Sequence, residues 1–213
     1  MVSKETEYKG IMFRSRLEAR VALFFDKAGI EWIYEPDRIV NGDSEYNPDF
    51  YLPEMDDYVE VKGKRPGYEA EILKIINFIS VNSPIKTVVI ISEIPDPTEL
   101  GLPHFPCYHL EMSKDEGEVI SKWYYFCDDM KGKVKGCVSR EHGCPPINPF
   151  NVDFDISPRT DYKLDEVILM SEPYFIRKHN DYQFGEWCKK TNPLTFAAYA
   201  AARKADFTMR RVG

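Results

Sequence analysis

Residues 47–62 read NPDFYLPEMDDYVEVK, and this stretch predicts two short strands joined by a polar loop. Two prolines bound the first strand, residues 49–52, because proline fixes φ and cannot donate to a sheet ladder. In the second strand, residues 58–62, side chains alternate between two faces. Its two valines are expected on the core side, with Glu60 and Lys62 on the other side. The stretch therefore predicts an antiparallel hairpin.

The register of this hairpin decides whether its charged residues meet. Side chains of an antiparallel pair share a face when they are directly opposed or offset by two residues. Asp49 meets Glu60 and Lys62 if it lies opposite one of them, and misses both if it lies opposite Val61. The pattern leaves both registers open. In the first, oxygen ligands of the type that holds Mg²⁺ converge beside a lysine that can orient a water molecule.

A helix is predicted ahead of the hairpin. Ser15 and Glu18 have the spacing of a capping box, an amphipathic stripe follows, and Gly29 ends the helix. Glu18 falls at the edge of the apolar stripe, where a carboxylate needs a partner. Two interpretations of Glu18 stay open: the capping box satisfies it, or it points toward the hairpin as a third acid.

The remaining pattern extends this unit. A strand is predicted at 31–35, a helix at 68–81 and a buried strand at 87–92, so that residues 15–92 run helix, three strands, helix, strand. The strand at 58–62, the helix at 68–81 and the strand at 87–92 form a β-α-β crossover. Beyond residue 92, strands are predicted at 107–112 and 119–127 and a final helix from Leu194 to about Phe207, whereas 131–160 shows no convincing period.

Composition restricts the class of protein. The chain has 213 residues, is 43% hydrophobic and carries a net charge of −7, which suits one domain with an extension or two small domains. No apolar run has the length of a membrane span, and the first residues lack the apolar segment of a signal peptide. The five cysteines follow no framework spacing, so reduced thiols and a cytoplasmic location are expected.

Charge is distributed unevenly along the second half of the chain. Residues 93–176 carry eight basic and sixteen acidic side chains, whereas residues 177–213 carry eight basic and three acidic ones. A basic tail can contact phosphates, and it can equally be a solvated helix end. Within this tail we interpret residues 197–211 as a packed helix and not as a dedicated DNA reader.

With helix, strands and acids in place, the chain resembles the PD-(D/E)xK nuclease superfamily, as represented by small phage and bacterial endonucleases. Pro48-Asp49 and Glu60-Val61-Lys62 match its defining motif, and residues 13–20 resemble its first-helix motif. The resemblance covers about residues 8–92. It implies an α/β fold with a restriction-endonuclease-like αβββαβ core and a mixed sheet in residues 1–92, followed by an appended α+β region in residues 93–213.

The resemblance also implies an activity, a cofactor and a set of site residues. The activity is metal-dependent hydrolysis of DNA phosphodiester bonds, on branched or otherwise structured DNA among other substrates. Asp49, Glu60 and the main-chain carbonyl of Val61 would hold Mg²⁺, or Mn²⁺ in its place. Glu18 would join the metal site, and Lys62 would position the hydrolytic water. The partner would be DNA and not a membrane. The oligomeric state stays open, and a homodimer is one alternative. A phage-encoded protein would act in the host cytoplasm.

Four basic residues flank the expected site and are candidate phosphate contacts: Arg14, Arg16, Lys64 and Arg65. Their alternative role is solubilising charge near loops. Cys127, Cys137, His142 and Cys144 are candidate ligands of a second metal site. Because that set lacks a Cys-x-x-Cys pair, uncoordinated thiols are favoured over structural zinc.

Two other hypotheses belong to different classes. The chain could be a non-catalytic binding or inhibitor protein built on a nuclease-like scaffold, with its function in the large, acidic residues 93–213. It could also be an unrelated α/β interaction domain with a chance motif. The filled metal and lysine positions favour the nuclease, since a degenerate scaffold tends to lose at least one of them.

Overall fold

The computed structural model describes residues 5–63, 68–80, 85, 87–91, 94, 107–112, 119–129, 131–138 and 193–207. These residues form eleven strands and three helices. The strands are β1 Thr6–Tyr8, β2 Ile11–Phe13, β3 Ile33–Tyr34, β4 Ile39–Asn41, β5 Ser44–Tyr46, β6 Phe50–Leu52, β7 Asp57–Val61, β8 Thr87–Ile91, β9 Cys107–Met112, β10 Val119–Asp128 and β11 Val134–Val138. The helices are α1 Arg16–Ala28, α2 Tyr68–Ser80 and α3 Pro193–Lys204.

A seven-stranded sheet dominates the fold. Its strand order is β11-β10-β9-β8-β7-β6-β3. The pair β7–β8 is parallel and every other neighbouring pair is antiparallel, so the sheet is mixed. Helix α2 connects the two parallel strands, as the crossover pattern predicts. The α/β class and the mixed sheet are thus confirmed.

Two hairpins stand apart from this sheet. Strand β1 pairs with β2, and β4 pairs with β5, each pair antiparallel. The turn of the first hairpin has positive φ at Lys9 (52°) and Gly10 (78°), the conformation that a two-residue turn between twisted strands needs. Neither hairpin was expected as a pair of strands from the sequence. The predicted turn at residues 41–43 connects β4 to β5.

The first helix forms as its sequence signals require. Ser15 is the N-cap, and its hydroxyl oxygen accepts from the backbone N–H of Glu18 at 3.1 Å. Gly29 is the C-cap with φ 70°, a left-handed conformation that costs glycine little. Phe24 and Phe25 are fully buried on the apolar stripe. The predicted boundaries of this helix are confirmed.

The sheet separates two apolar layers. On one face lie α1 and α3 with Val59, Val61 and Phe50, and on the other lies α2, whose isoleucines pack with Val88 and Ile90. Alternation along β7 therefore turns Glu60 toward the α2 layer.

The last helix packs against α1. The rings of Phe24 and Tyr199 stack with centroids 4.8 Å apart and an interplanar angle of 12°, a geometry worth about 0.5–1.5 kcal/mol beyond burial. An Arg20 Nη atom also donates to the carbonyl of Ala205 at 3.4 Å. The interpretation of this segment as a packed helix is confirmed. Strands β9–β11 extend the sheet, and β11 is a strand that the lack of a period in 131–160 did not predict.

The start of α3 is held by a carboxylate from β10. Asp128, which is buried, accepts from the backbone N–H groups of Leu194 at 2.8 Å and Thr195 at 2.9 Å, and from the Thr195 hydroxyl at 2.5 Å. Pro193, at the first helical position, has no N–H to satisfy. Asp128 therefore does the work of an N-cap from a distant strand.

Asp128→Ala is expected to lower the free energy of unfolding by about 1–3 kcal/mol, because it leaves buried helix N–H groups without an acceptor. Urea denaturation of the metal-free protein measures this. The control is Glu45→Ala, which breaks an exposed ion pair with Arg38 and should cost under about 0.5 kcal/mol. Equal stability losses in the two variants would contradict the capping role.

Candidate active site

The hairpin of β6 and β7 adopts the register that brings its acids together. Phe50 pairs with Val59, and extending the pairing by one residue places Asp49 opposite Glu60. A loop of four residues, 53–56, closes this hairpin. Of the two registers open from the sequence, the one that joins Asp49 to Glu60 is present.

Asp49 also completes the ladder at the start of β6. Along β7, N–H groups alternate in direction, and that of Lys62 donates to the carbonyl of Ile91 on β8 at 2.9 Å. The N–H of Val61 therefore points toward β6, where it donates to Asp49 Oδ2 at 2.7 Å. This bond holds the carboxylate, which is 1% exposed, at the mouth of the hairpin.

Glu18 reaches the same place from α1. Only half of the capping box forms: Ser15 accepts from the Glu18 N–H, while the Glu18 carboxylate accepts from donors other than the Ser15 N–H. Its Oε2 accepts from the hydroxyl of Tyr34 on β3 at 2.7 Å and from the backbone N–H of Arg14 at 3.2 Å. Of the two interpretations of Glu18, the geometry favours the third acid directed at the hairpin.

Glu60 and Lys62 form the second half of the site. Lys62 Nζ lies 2.5 Å from Glu60 Oε1 and 3.6 Å from Glu71 Oε2 on α2. The other oxygen of Glu60 accepts from the hydroxyl of Tyr46 at 2.8 Å. Lys62 is about one-fifth exposed, so its ammonium lies between buried acids and solvent.

Arg14 balances the other half. Its guanidinium forms an ion pair with Asp49 Oδ1, and its Nε lies 3.0 Å from Glu35 Oε1 and 3.9 Å from Glu18 Oε2. Glu35 has φ 45° and its backbone N–H donates to the carbonyl of Asp49. A left-handed glutamate is unusual, and such conformations cluster at functional sites.

Burial and mutual repulsion change the acidity of these groups. Burial, and then the charges of Glu60 and Glu18, raise the pKa of Asp49 to about 7, against the lowering effects of Lys62 and the Val61 N–H. Burial opposes the ammonium of Lys62, yet Glu60, Asp49 and Glu71 outweigh it and raise the pKa of Lys62. Lys62 is therefore a permanent cation at neutral pH, suited to donating hydrogen bonds and not to accepting a proton.

Asp49, Glu60 and Glu18 are buried carboxylates, and oxygen donors of this type are the ones that a hard divalent cation prefers. Burial, and then the charges of Glu60 and Glu18, raise the pKa of Asp49, and a bound cation would oppose this rise. Within the described part of the chain, however, no group of three or more His, Cys, Asp or Glu side chains is arranged to hold a metal ion. Arg14 and Lys62 supply positive charge to the acids instead.

The flanking basic residues have different placements. Arg14 contacts the acids, and Arg16 is exposed on the first turn of α1. Lys64 and Arg65 lie outside the described residues. Of the considered zinc ligands, Cys127 is buried in β10 and Cys137 belongs to β11, while His142 and Cys144 lie outside the described residues, so the expectation about zinc stays a prediction.

Sequence reasoning missed four residues that contact the acids, the lysine or Arg14. They are two tyrosines and two glutamates: Tyr34, Tyr46, Glu35 and Glu71. For Tyr46 a signal exists in its position at the end of β5, just before the Asn-Pro-Asp segment. For Glu71 the signal is the alternation along β7, which turns Glu60 toward the helix layer that carries Glu71. For Tyr34 and Glu35 the sequence pattern offers no signal, because their contacts depend on β3 pairing with β6.

Comparisons of the chain with protein-family models, curated proteins and solved structures find no match. Among the described residues, no helix combines the length and apolar character needed to cross a bilayer. The function of the chain is therefore inferred from the geometry of the site itself.

Proposed function

We propose that the chain is a Mg²⁺-dependent endonuclease that hydrolyses phosphodiester bonds in DNA, with a PD-(D/E)xK type of site. One observation carries the proposal: the hairpin register sets Asp49 opposite Glu60, Lys62 pairs with Glu60, and the Arg14 guanidinium lies between Asp49 and Glu18. These side chains of the implied types come from α1 (Glu18), β7 (Glu60) and the positions just before β6 (Asp49) and just after β7 (Lys62).

The order of elements supports the same proposal. Leaving aside the separate β4–β5 hairpin, the chain from α1 runs α1, β3, β6, β7, α2, β8, which is the αβββαβ order of restriction-endonuclease-like cores. The acids lie where β6 begins and β7 ends, beside α1. Arg14 is half-exposed beside these acids, so a phosphodiester would approach the site from the side of Arg14.

The roles of the residues follow from their contacts. Asp49, Glu60 and the main-chain carbonyl of Val61 would hold the ion, with Glu18 beside them, and the ion would supply charge stabilisation and an activated nucleophile. Lys62, a lasting cation tied to Glu60, would donate to the attacking water or to a phosphate oxygen. Tyr46 and Tyr34 hold Glu60 and Glu18 in orientation through hydroxyl donors.

A second candidate function is a non-catalytic binding protein on this scaffold. The observation in its favour is that Asp49, Glu18 and Glu60 each already accept from donors of the chain, so that the cluster is internally paired. Binding of DNA or of another protein without cleavage is the result that this candidate predicts.

Purified protein incubated with supercoiled, branched and single-stranded DNA in Mg²⁺ or Mn²⁺ tests the proposal. Cleavage is expected with metal and not with EDTA, and Glu60→Gln should abolish it while preserving the Tyr46 contact as an amide acceptor. The control is Glu45→Gln, on an exposed strand away from the acids, which should cut like the wild type. DNA binding without metal-dependent cutting, in wild type and variant alike, would favour the second candidate.

A further inference from the structure

Arg14 occupies an unusual position between the buried acids and solvent. Its side chain is 53% exposed, while its partner Asp49 is 1% exposed. The same guanidinium also contacts Glu35, a half-exposed acid, at 3.0 Å. Arg14 therefore spans the distance from the interior of the acid cluster to the surface.

We propose that Arg14 is an exchangeable counter-cation: it is paired with Asp49 while the site is metal-free, and it moves to a DNA phosphate when a divalent cation takes its place. This inference rests on the proposed function and adds a positioning role that couples metal binding to DNA binding.

The competition follows from the contacts on Asp49. Oδ2 is committed to the Val61 N–H, and Oδ1 receives the Arg14 guanidinium. A Mg²⁺ ion needs a carboxylate oxygen at about 2.0–2.1 Å and carries two positive charges. Arg14 and the ion cannot both approach Oδ1 without strong like-charge repulsion. Metal binding must therefore displace the guanidinium from Asp49.

The Arg14 guanidinium can leave Asp49 without a movement of the main chain. The Arg14 N–H donates to Glu18 Oε2 and to the Tyr34 hydroxyl, both at 3.2 Å, which anchors the main chain. The long side chain can swing without moving this anchor. Glu35, on the solvent side, offers a partner that Arg14 keeps after it leaves Asp49.

The released guanidinium is suited to a phosphate. Arginine presents a planar fork of donors that matches a phosphate in a bidentate pair, which a lysine ammonium does not. Exposure of the Arg14 side chain places this fork where a DNA backbone would approach the acids. Metal binding would thus free a phosphate contact at the same site.

The test measures Mn²⁺ affinity by calorimetry and duplex affinity by fluorescence anisotropy, the latter with Mn²⁺ in a Lys62→Met background that prevents cutting. Arg14→Ala should bind Mn²⁺ at least about tenfold more tightly and DNA at least about tenfold more weakly. Arg14→Lys, which retains the charge without the fork, should fall between. Arg38→Ala, which removes an arginine from an exposed pair with Glu45, should change either affinity less than about twofold.

Each outcome decides something. Equal Mn²⁺ affinity in wild type and Arg14→Ala overturns the exchange while leaving the nuclease proposal standing. Weaker Mn²⁺ binding in Arg14→Ala, or tighter binding with unchanged DNA affinity, also overturns it. Absence of Mn²⁺ binding in wild type and all folded variants removes the nuclease proposal and this inference together. Circular dichroism checks folding, and Arg14→Lys carries the comparison if Arg14→Ala does not fold.

Discussion

Lys62→Met is expected to slow metal-dependent DNA cleavage by about 10²- to 10⁴-fold while the protein stays folded. Lys62 lies 2.5 Å from Glu60, and its neighbouring acids raise its pKa, so it is charged throughout the neutral range. Methionine keeps the length and apolar stem of the side chain but removes the donors that would contact water or a phosphate oxygen. The loss should fall on the rate of the chemical step, measured in single turnover.

The matched control is Lys135→Met. Lys135 is an exposed lysine on β11, and it pairs at 3.2 Å with Asp129, which follows β10. Its removal changes net charge by the same amount and should leave cleavage within about twofold, as expected for an exposed pair away from the site. Thermal denaturation of both variants separates loss of chemistry from loss of fold. Wild-type cleavage by Lys62→Met would show that this lysine has no catalytic role.

The stability of the metal-free protein should depend on pH through Asp49. Burial and the charges of Glu60 and Glu18 raise the pKa of Asp49 from 3.8 to about 7. Between these two pH values the Asp49 carboxyl is protonated in the folded protein and ionised in the unfolded chain. The stabilisation is therefore complete below about pH 4 and is lost as the pH rises through 7, by about 2–4 kcal/mol in total.

Urea denaturation in EDTA between pH 4.5 and 8 measures this effect against Asp49→Asn. The asparagine still accepts from the Val61 N–H but does not titrate, so the stability of wild type relative to Asp49→Asn should fall with rising pH. Asp26→Asn is the control. Although burial opposes it, the hydrogen bonds from Lys9, Tyr8 and Trp32 lower the pKa of Asp26. The stabilisation from ionised Asp26 is therefore lost only as the pH falls below the range of this experiment. Parallel curves for wild type and Asp49→Asn would contradict the assignment.

Local signals predicted the parts of the fold that depend on short stretches of chain. Ser15 and Gly29 bound α1, and the apolar runs at 68–81 and 87–92 become α2 and β8 because each has a clear period or burial pattern. The β1–β2 hairpin was missed because its turn, Lys9-Gly10, has only one of the residues typical of a two-residue turn. Strand β11 interleaves lysine and glycine with its hydrophobic residues and pairs only because β10 is ten residues long.

The site could be predicted as a set of residues but not as a geometry. The alternation of Glu60 and Lys62 is a property of one strand, whereas the position of Asp49 depends on how two strands pair. The four-residue loop at 53–56 settles this register, since Leu52 and Asp57 close it as a pair. Tyr34 and Glu35 reach the acids through long-range pairing of β3 with β6, which no local pattern encodes.

The role of Arg14 shows what only the three-dimensional arrangement adds. Its sequence position, four residues before Glu18, suggests a flanking phosphate contact. In the structure it is bonded to Asp49, 35 residues away. A candidate DNA contact is therefore also the residue that balances the charge of the acids.

The most direct measurement is a crystal structure of the protein with Mn²⁺, using anomalous scattering to locate the ion. A peak within about 2.0–2.3 Å of oxygens of both Asp49 and Glu60 is predicted, on the range that hard cations keep to carboxylates, with the Arg14 guanidinium withdrawn from Asp49. A structure at saturating Mn²⁺ with Arg14 still paired to Asp49 and no ion between Asp49 and Glu60 would contradict the account.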